Sequence, residues 1–219
     1  MAFSSTLNAG ERAQRKALIT VAEWTGASHD VYTLVTSEPI SFDPTEYYKK
    51  QADGTYVAGT ASDEWAANTW YSKSTSTTYR QVLGARTEDS SIEYNADIAT
   101  STDILGITYT DVNKTEPQQT FDPFNVMGGS DLADYLSQAA LGNEITKFNG
   151  VFTLYVITAY LKDSSNYFAV KHTGCSIIPT SLGGDSYVNM PIEAHYSNNI
   201  TKGSVNKLGD DFTFTPAGS

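Results

Sequence analysis

The stretch VFTLYVITAYL, Val151 to Leu161, most constrains what this chain can fold into. Its apolar side chains fall on both odd and even positions, so a strand here has no wet face. Such a strand lies inside a sheet that is covered on both sides. Its eleven residues include two threonines and two tyrosines, and they are too few to span a bilayer. One segment reads as a helix instead. In GGSDLADYLSQAALGN, Ser130 stands as N-cap, and Asp131 and Asp134 lie in the first turn, where negative charge suits the helix dipole. Leu132, Tyr135, Leu136 and Ala139 follow helical spacing, and Gly142 marks the stop. Leu132, Tyr135 and Leu136 are expected to pack this helix on its own sheet.

The remaining pattern is that of strands. RKALITVAEW reads as a first strand and VYTLVT, Val31 to Thr36, as a second. RTEDSSIEYNADI alternates, with Ser90, Ile92, Tyr94, Ala96 and Ile98 on one face and Thr87, Asp89, Ser91, Glu93, Asn95 and Asp97 on the other. The first face is expected in the core and the second, acidic one in solvent. ILGITYTDV, Ile104 to Val112, follows after the short link ATSTD, which suggests a hairpin. NKTEPQQTFDPF is polar, with Pro117 and Pro123 fixing its path, and reads as a connection outside the sheet. YFAVKHTGCSII is a strand. YVNMPIEAHY is another, with Val188, Met190, Ile192, Ala194 and Tyr196 inward and Pro191 forcing an edge or a bulge. TKGSVNKL and FTFTP complete the set. Together these predict a mostly β chain: an antiparallel β-sandwich or barrel with one flanking α-helix, organised as a single domain over residues 1–219.

Residues 37–80 interrupt that pattern. TEYYKKQADGTYV and NTWYSKSTSTTYR align without gaps through Tyr48/Tyr71, Lys50/Lys73, Thr55/Thr78 and Tyr56/Tyr79, with Tyr47 opposite Trp70. Each reads as strand, polar turn, strand, and Asp53-Gly54 is a hairpin signal. A pair of β-hairpins inserted into the host domain is the expectation.

Composition limits function. The chain has 25 acidic and 14 basic residues and a formal charge of −11. That opposes a duplex-binding groove, whose affinity comes from Lys and Arg on phosphate. One cysteine, Cys175, excludes an intrachain disulfide, and in its strand context it reads as a buried thiol. His29, His172 and His195 are scattered, with no metal-ligand spacing. No nucleophile elbow, P-loop or dinucleotide fingerprint occurs. Asp89 and Glu93 would stand about 13 Å apart on a strand, too wide for a retaining carboxylate pair. The expectation is therefore no enzyme, no cofactor and no metal. MAFSSTLNAGERAQRK has no apolar core of a signal peptide, which together with the short apolar run predicts assembly in a cytoplasm without membrane insertion. A carbohydrate-binding sandwich remains open, with Tyr47, Tyr48, Trp65, Trp70 and Tyr71 stacking on sugars.

The run ARTEDSSIEYNADIATSTDILGITYTDVNKTEPQQTFDP, the opening MAFSSTLNAGERAQRK and the block SLGGDSYVNMPIEAHYSNN carry a further signal. They resemble the major tail tube proteins of long, non-contractile-tailed bacteriophages, of the type that infects Gram-positive bacteria. The resemblance covers residues 1–25 and 85–205 and is most specific from Glu88 to Pro123; residues 37–80 depart from it. It implies a structural virion protein whose homohexameric rings stack into a tail tube, assembled in the host cytoplasm. The partners it implies are other copies of the chain, a tape measure protein, a tail terminator and a distal tail protein. DNA would pass through the lumen without specific binding. On this reading Asp89, Glu93 and Asp97 are the expected lumen-facing acids. Lys114, Glu116, Pro117, Phe121 and Asp122 are the expected intersubunit residues. Another tail component or a bacteriocin-particle tube fits the same text.

Overall fold

The computed structural model describes residues 4–5, 18–84, 90–124, 130–163, 165–184 and 188–218. By its contacts the chain divides into two compact units, Met1–Trp24 with Arg80–Ser219, and Thr25–Tyr79. The strands begin with β1 (Ser4–Ser5), β2 (Leu18–Leu34), β3 (Tyr48–Lys50), β4 (Tyr56–Ala58) and β5 (Trp70–Val82). β6 (Ile92–Glu93), β7 (Asp97–Thr102), β8 (Thr108–Lys114) and β9 (Gln118–Phe121) precede the helix α1 (Asp131–Leu141). β10 (Phe152–Asp163), β11 (Asn166–Pro179), β12 (Ile192–His195), β13 (Ile200–Val205) and β14 (Phe214–Pro216) follow it. The fold is mostly β and antiparallel, with a single α-helix among the described residues.

In the larger unit the order runs β2-β10-β11-β12-β9-β6, with β1 on β10, β13 on β11 and β14 on β13. β10 is the doubly apolar stretch, and both its faces are covered. Phe152, Leu154 and Val156 share one face. Tyr155 and Ile157 share the other, in a cluster with Val21, Ala169, Val205 and Phe212. β11 changes partners along its length: Tyr167–His172 pair with β13, whereas Ser176–Pro179 pair with β12. Gly174 sits between them at φ +83, a conformation open to glycine at no steric cost. There the strand passes from one layer of the sandwich to the other.

α1 forms where the sequence places it. Ser130 Oγ accepts from Ala133 N at 3.4 Å, and Ser130 Oγ also donates to Gln81 Oε1 at 3.1 Å. Leu132 and Leu136 are fully buried. Tyr135 stacks on Trp24 and meets Phe148 and Phe152 edge-on.

Several boundaries differ from expectation. The two predicted N-terminal strands are one strand, β2; its middle is polar because most of Thr25–Asp30 is solvent-exposed. The RTEDSSIEYNADI strand is broken at Asn95, φ +42, so Glu93 ends β6 and Asp97 opens β7. Tyr94 and Ile98, expected in the core, are exposed. The hairpin loop lies at 103–107 rather than at ATSTD. The proposed connection QQTF is strand β9, inside the sheet between β12 and β6. Pro191 precedes β12, which is internal rather than an edge, and Val188 is exposed.

In the Thr25–Tyr79 unit, the order is β4-β3-β5-β2. TEYYKKQADGTYV forms the expected hairpin, with Gly54 at φ +88 and Asp53 accepting from Thr55 N at 3.0 Å. NTWYSKSTSTTYR does not: it is one continuous strand, because Ser and Thr in its centre extend rather than turn. The repeat still has structural meaning. Tyr48 and Tyr71, equivalent in the alignment, stand directly opposite each other.

Candidate assembly surface

β7 and β8 pair only with each other among the described residues, forming a separate two-stranded sheet. An isolated hairpin is marginal in water, so local bonds matter. Asp103 Oδ1 accepts from Leu105 N and Ile107 N, both at 2.9 Å, and Gly106 takes φ +79. These bonds place the turn at 103–107. Tyr94 O accepts from Glu116 N at 3.0 Å and closes the base of the hairpin.

Every residue of β7 and β8 is exposed. Ile98 faces Val112 across the strands, at 57 % and 60 % exposure. Thr100 pairs Thr110 and Thr102 pairs Thr108 on the same face. At the tip, Ile104 and Leu105 are 101 % and 78 % exposed, and Ile107 is open as well. The exposed apolar side chains thus lie at the two ends of the hairpin, Ile98 and Val112 at one and Ile104, Leu105 and Ile107 at the other, with threonine pairs between them; large apolar side chains exposed together in this way suit an interaction surface. The outer edges of both strands also leave backbone groups that another strand can pair.

Of the expected acidic residues, Glu93 and Asp97 flank this hairpin on different strands, β6 and β7. Asp89 lies outside the described residues. Glu93 is exposed in β6 opposite Gln118. Asp97 is exposed opposite Lys114 and accepts from Asn113 Nδ2 at 3.3 Å.

The expected intersubunit residues separate into surface and core. Lys114 Nζ lies 2.7 Å from Glu116 Oε1; that hydrogen bond holds the Glu116 carboxyl below its usual range. Both are exposed, as is Asp122, whose carboxylate accepts from Asn189 Nδ2 at 3.1 Å. Pro117 is half-buried, and its carbonyl accepts from Tyr196 N at 2.9 Å. Phe121 is 1 % exposed, so it is a core residue of β9 and presents nothing to a neighbour. Sequence reasoning missed Ile98, Val112, Ile104, Leu105 and Ile107. The Asp103-x-x-Gly106 turn signal would have located them, because it fixes the register of the hairpin.

The five aromatic residues expected to stack on sugars do not share one face. Trp70 is fully buried, and Phe42 gathers Tyr47, Trp65 and Trp70 at centroid distances of 5.3, 5.3 and 5.1 Å. Tyr48 and Tyr71 point to the opposite face, where Tyr32 stacks flat on Tyr56 at 4.0 Å and meets Tyr48 edge-on. Trp70 therefore offers no face to a sugar, and the half-exposed Tyr47, Trp65, Tyr48 and Tyr71 are divided between the two faces.

Cys175 is buried; burial pushes its thiol up. Among the described residues, no group of three His, Cys, Asp or Glu side chains comes together as metal ligands. No described helix is long and apolar enough to cross a membrane. Comparison with protein-family profiles, with curated proteins and with solved structures finds no match.

Proposed function

We propose that this chain is a self-assembling structural subunit, the major tube protein of a long non-contractile phage tail. One observation carries the reading: the β7–β8 hairpin, with open edges, an exposed Ile98–Val112 pair on one face and Ile104 and Leu105 exposed at its tip. A second copy of the chain is the occupant that completes such a surface in a ring, since strand addition supplies backbone partners and covers the apolar face together. The resemblance over Glu88 to Pro123 supports this, because that run spans the hairpin.

A ring uses one heterologous interface that closes, and stacking uses a second that does not, so the product is a tube. Its length is then set by a tape measure protein and a terminator. Glu93 and Asp97, repeated around the ring, would repel DNA over about 8 Å at physiological salt, so that the genome slides without sticking. Catalysis has no part in this account, and the site of action is the virion tail.

Negative-stain electron microscopy of the purified protein tests it. Six-fold rings or long hollow tubes are expected. Single chains at every concentration, with glycan binding as their only activity, would overturn it. A carboxylate-to-lysine change at Glu93 and Asp97 checks the lumen assignment separately: normal DNA delivery by particles carrying it would refute the repulsion.

A further inference from the structure

Four tyrosines of the Thr25–Tyr79 unit gather on one face of its sheet. Tyr48 on β3 stands directly opposite Tyr71 on β5. Tyr56 on β4 stands opposite Lys50, which is two residues on from Tyr48 and so on the same face. Tyr32 joins them from β2. Its ring lies flat on that of Tyr56, with centroids 4.0 Å apart and planes 1° from parallel. The contacts on either side are edge-on: Tyr48 meets Tyr32 at 5.1 Å and 72°, and Tyr71 meets Tyr56 at 5.0 Å and 75°. The flat pair is thus clamped between two edge-on rings. Beside it, Lys73 on β5 is bound to Asp30 on β2 at 2.9 Å, which ties those two strands together. In this cluster only Tyr32 and Tyr56 present the faces of two phenol rings to each other.

All four rings are half-exposed, so their rims are open to small solutes. β4 is three residues long and ends the sheet, paired with β3 alone. A bond from Tyr56 to Tyr32 would join this edge strand to β2 across both strands that lie between them. The single cysteine of the chain excludes an intrachain disulfide in that role.

We propose that Tyr32 and Tyr56 form an oxidative cross-linking site, converted to an intrachain dityrosine by hydrogen peroxide and a haem peroxidase. Each phenol gives up one electron and its hydroxyl proton, which leaves two neutral phenoxyl radicals. The peroxide takes both electrons and both protons and becomes two waters. Spin in a phenoxyl radical lies partly on the Cε carbons next to the oxygen-bearing carbon, and a Cε–Cε bond forms between the two stacked rings. The hydrogens on these carbons then move to the two oxygens and restore both phenols. The chain loses two hydrogen atoms in all. Stacking supplies the contact that free tyrosines reach only by collision. The closed loop from Tyr32 to Tyr56 restricts the unfolded chain as a disulfide does, so the linked sheet resists unfolding.

The test treats the dilute full chain with a haem peroxidase and hydrogen peroxide. Intact mass, dityrosine fluorescence and fragment sequencing by mass spectrometry then follow on the single chains. Loss of two hydrogens per chain is expected, with the link placed between Tyr32 and Tyr56 and a yield independent of dilution. The same oxidation in urea should give about tenfold less of this link, because the rings are no longer held together. Tyr32→Phe and Tyr56→Phe keep the ring but lose the phenol, and each should abolish the link; Tyr48→Phe and Tyr71→Phe should retain it. A link placed elsewhere, cross-linked dimers alone, an unmodified chain, or a yield that urea leaves unchanged would overturn the site. The link is mapped in the wild type, so a variant that fails to fold does not remove the test. Nor does the site depend on tube assembly, since both tyrosines belong to one chain.

Discussion

Thr20 and Gln119, 99 residues apart, are joined by a buried hydrogen bond of 2.8 Å from the threonine hydroxyl to the glutamine carbonyl. Tyr196 OH donates to the same oxygen at 2.5 Å, and Gln119 Nε2 donates to Ser90 O at 2.8 Å and Ser90 Oγ at 2.7 Å. A 2 % exposed amide thus has both ends satisfied and links β2, β9 and the segment after β12. Burial pushes the Tyr196 phenol far up, which keeps it a neutral donor.

Gln119→Leu should therefore cost more than its volume change suggests. It leaves the buried Thr20 and Tyr196 hydroxyls with only their long contact to each other, 3.5 Å, so one of the two loses its acceptor, and an unsatisfied buried group costs about 1–3 kcal/mol. A drop of that order or larger in urea-unfolding free energy is expected; a change under about 0.5 kcal/mol would show that water replaces the amide.

The hairpin prediction runs the other way. Ile98→Lys with Val112→Glu places opposite charges directly across the exposed strands, so the fold should be unaffected, within about 0.5 kcal/mol by thermal or urea unfolding. Assembly, measured by sedimentation, should be abolished.

Helix α1 gives a graded pair. Ser130→Ala removes the N-cap and should cost about 1 kcal/mol. Leu136→Ala opens a fully buried site and should cost about 2–5 kcal/mol. Urea unfolding of both variants checks the ratio; equal, small effects would mean that the helix contributes little to the core.

Acid should act on the Thr25–Tyr79 unit through Asp63. Its carboxylate accepts from Lys49 and from Thr60 N at 2.7 Å, and the Lys49 hydrogen bond leads the causes that lower its pKa to about 2. A folded pKa below the unfolded one means stabilisation that is complete above about pH 4 and is lost as pH falls toward 2. Asp43 and Asp53 are lowered in the same direction by their Thr45 and Thr55 side-chain bonds. Far-UV and aromatic circular dichroism over pH 5 to 2 should show a smaller acid-induced loss in Asp63→Asn than in the wild type.

What the sequence made legible follows from periodicity. β10 was readable because both of its faces are apolar, and α1 because its cap, its acidic first turn and its spacing agree. β9 was not, because QQTF buries an amide whose partners come from Thr20, Ser90 and Tyr196, and no local pattern announces such a contact. Nor was the exposure of Ile98 and Tyr94. Alternation predicts which residues share a face but not whether that face is covered, and the positive φ at Asn95 breaks the strand between them. In residues 37–80 the repeat was visible as text, but whether each copy turns back depends on Gly54, which the second copy lacks.

The most direct test compares end-on electron-microscope averages of the wild type with those of the Ile98→Lys, Val112→Glu variant, prepared at the same concentrations. Six-fold rings stacking into hollow tubes for the wild type, and folded single chains for the variant, are the predicted result. Tubes unchanged in the variant, or only single chains in the wild type at every concentration, would contradict an assembly built on this hairpin.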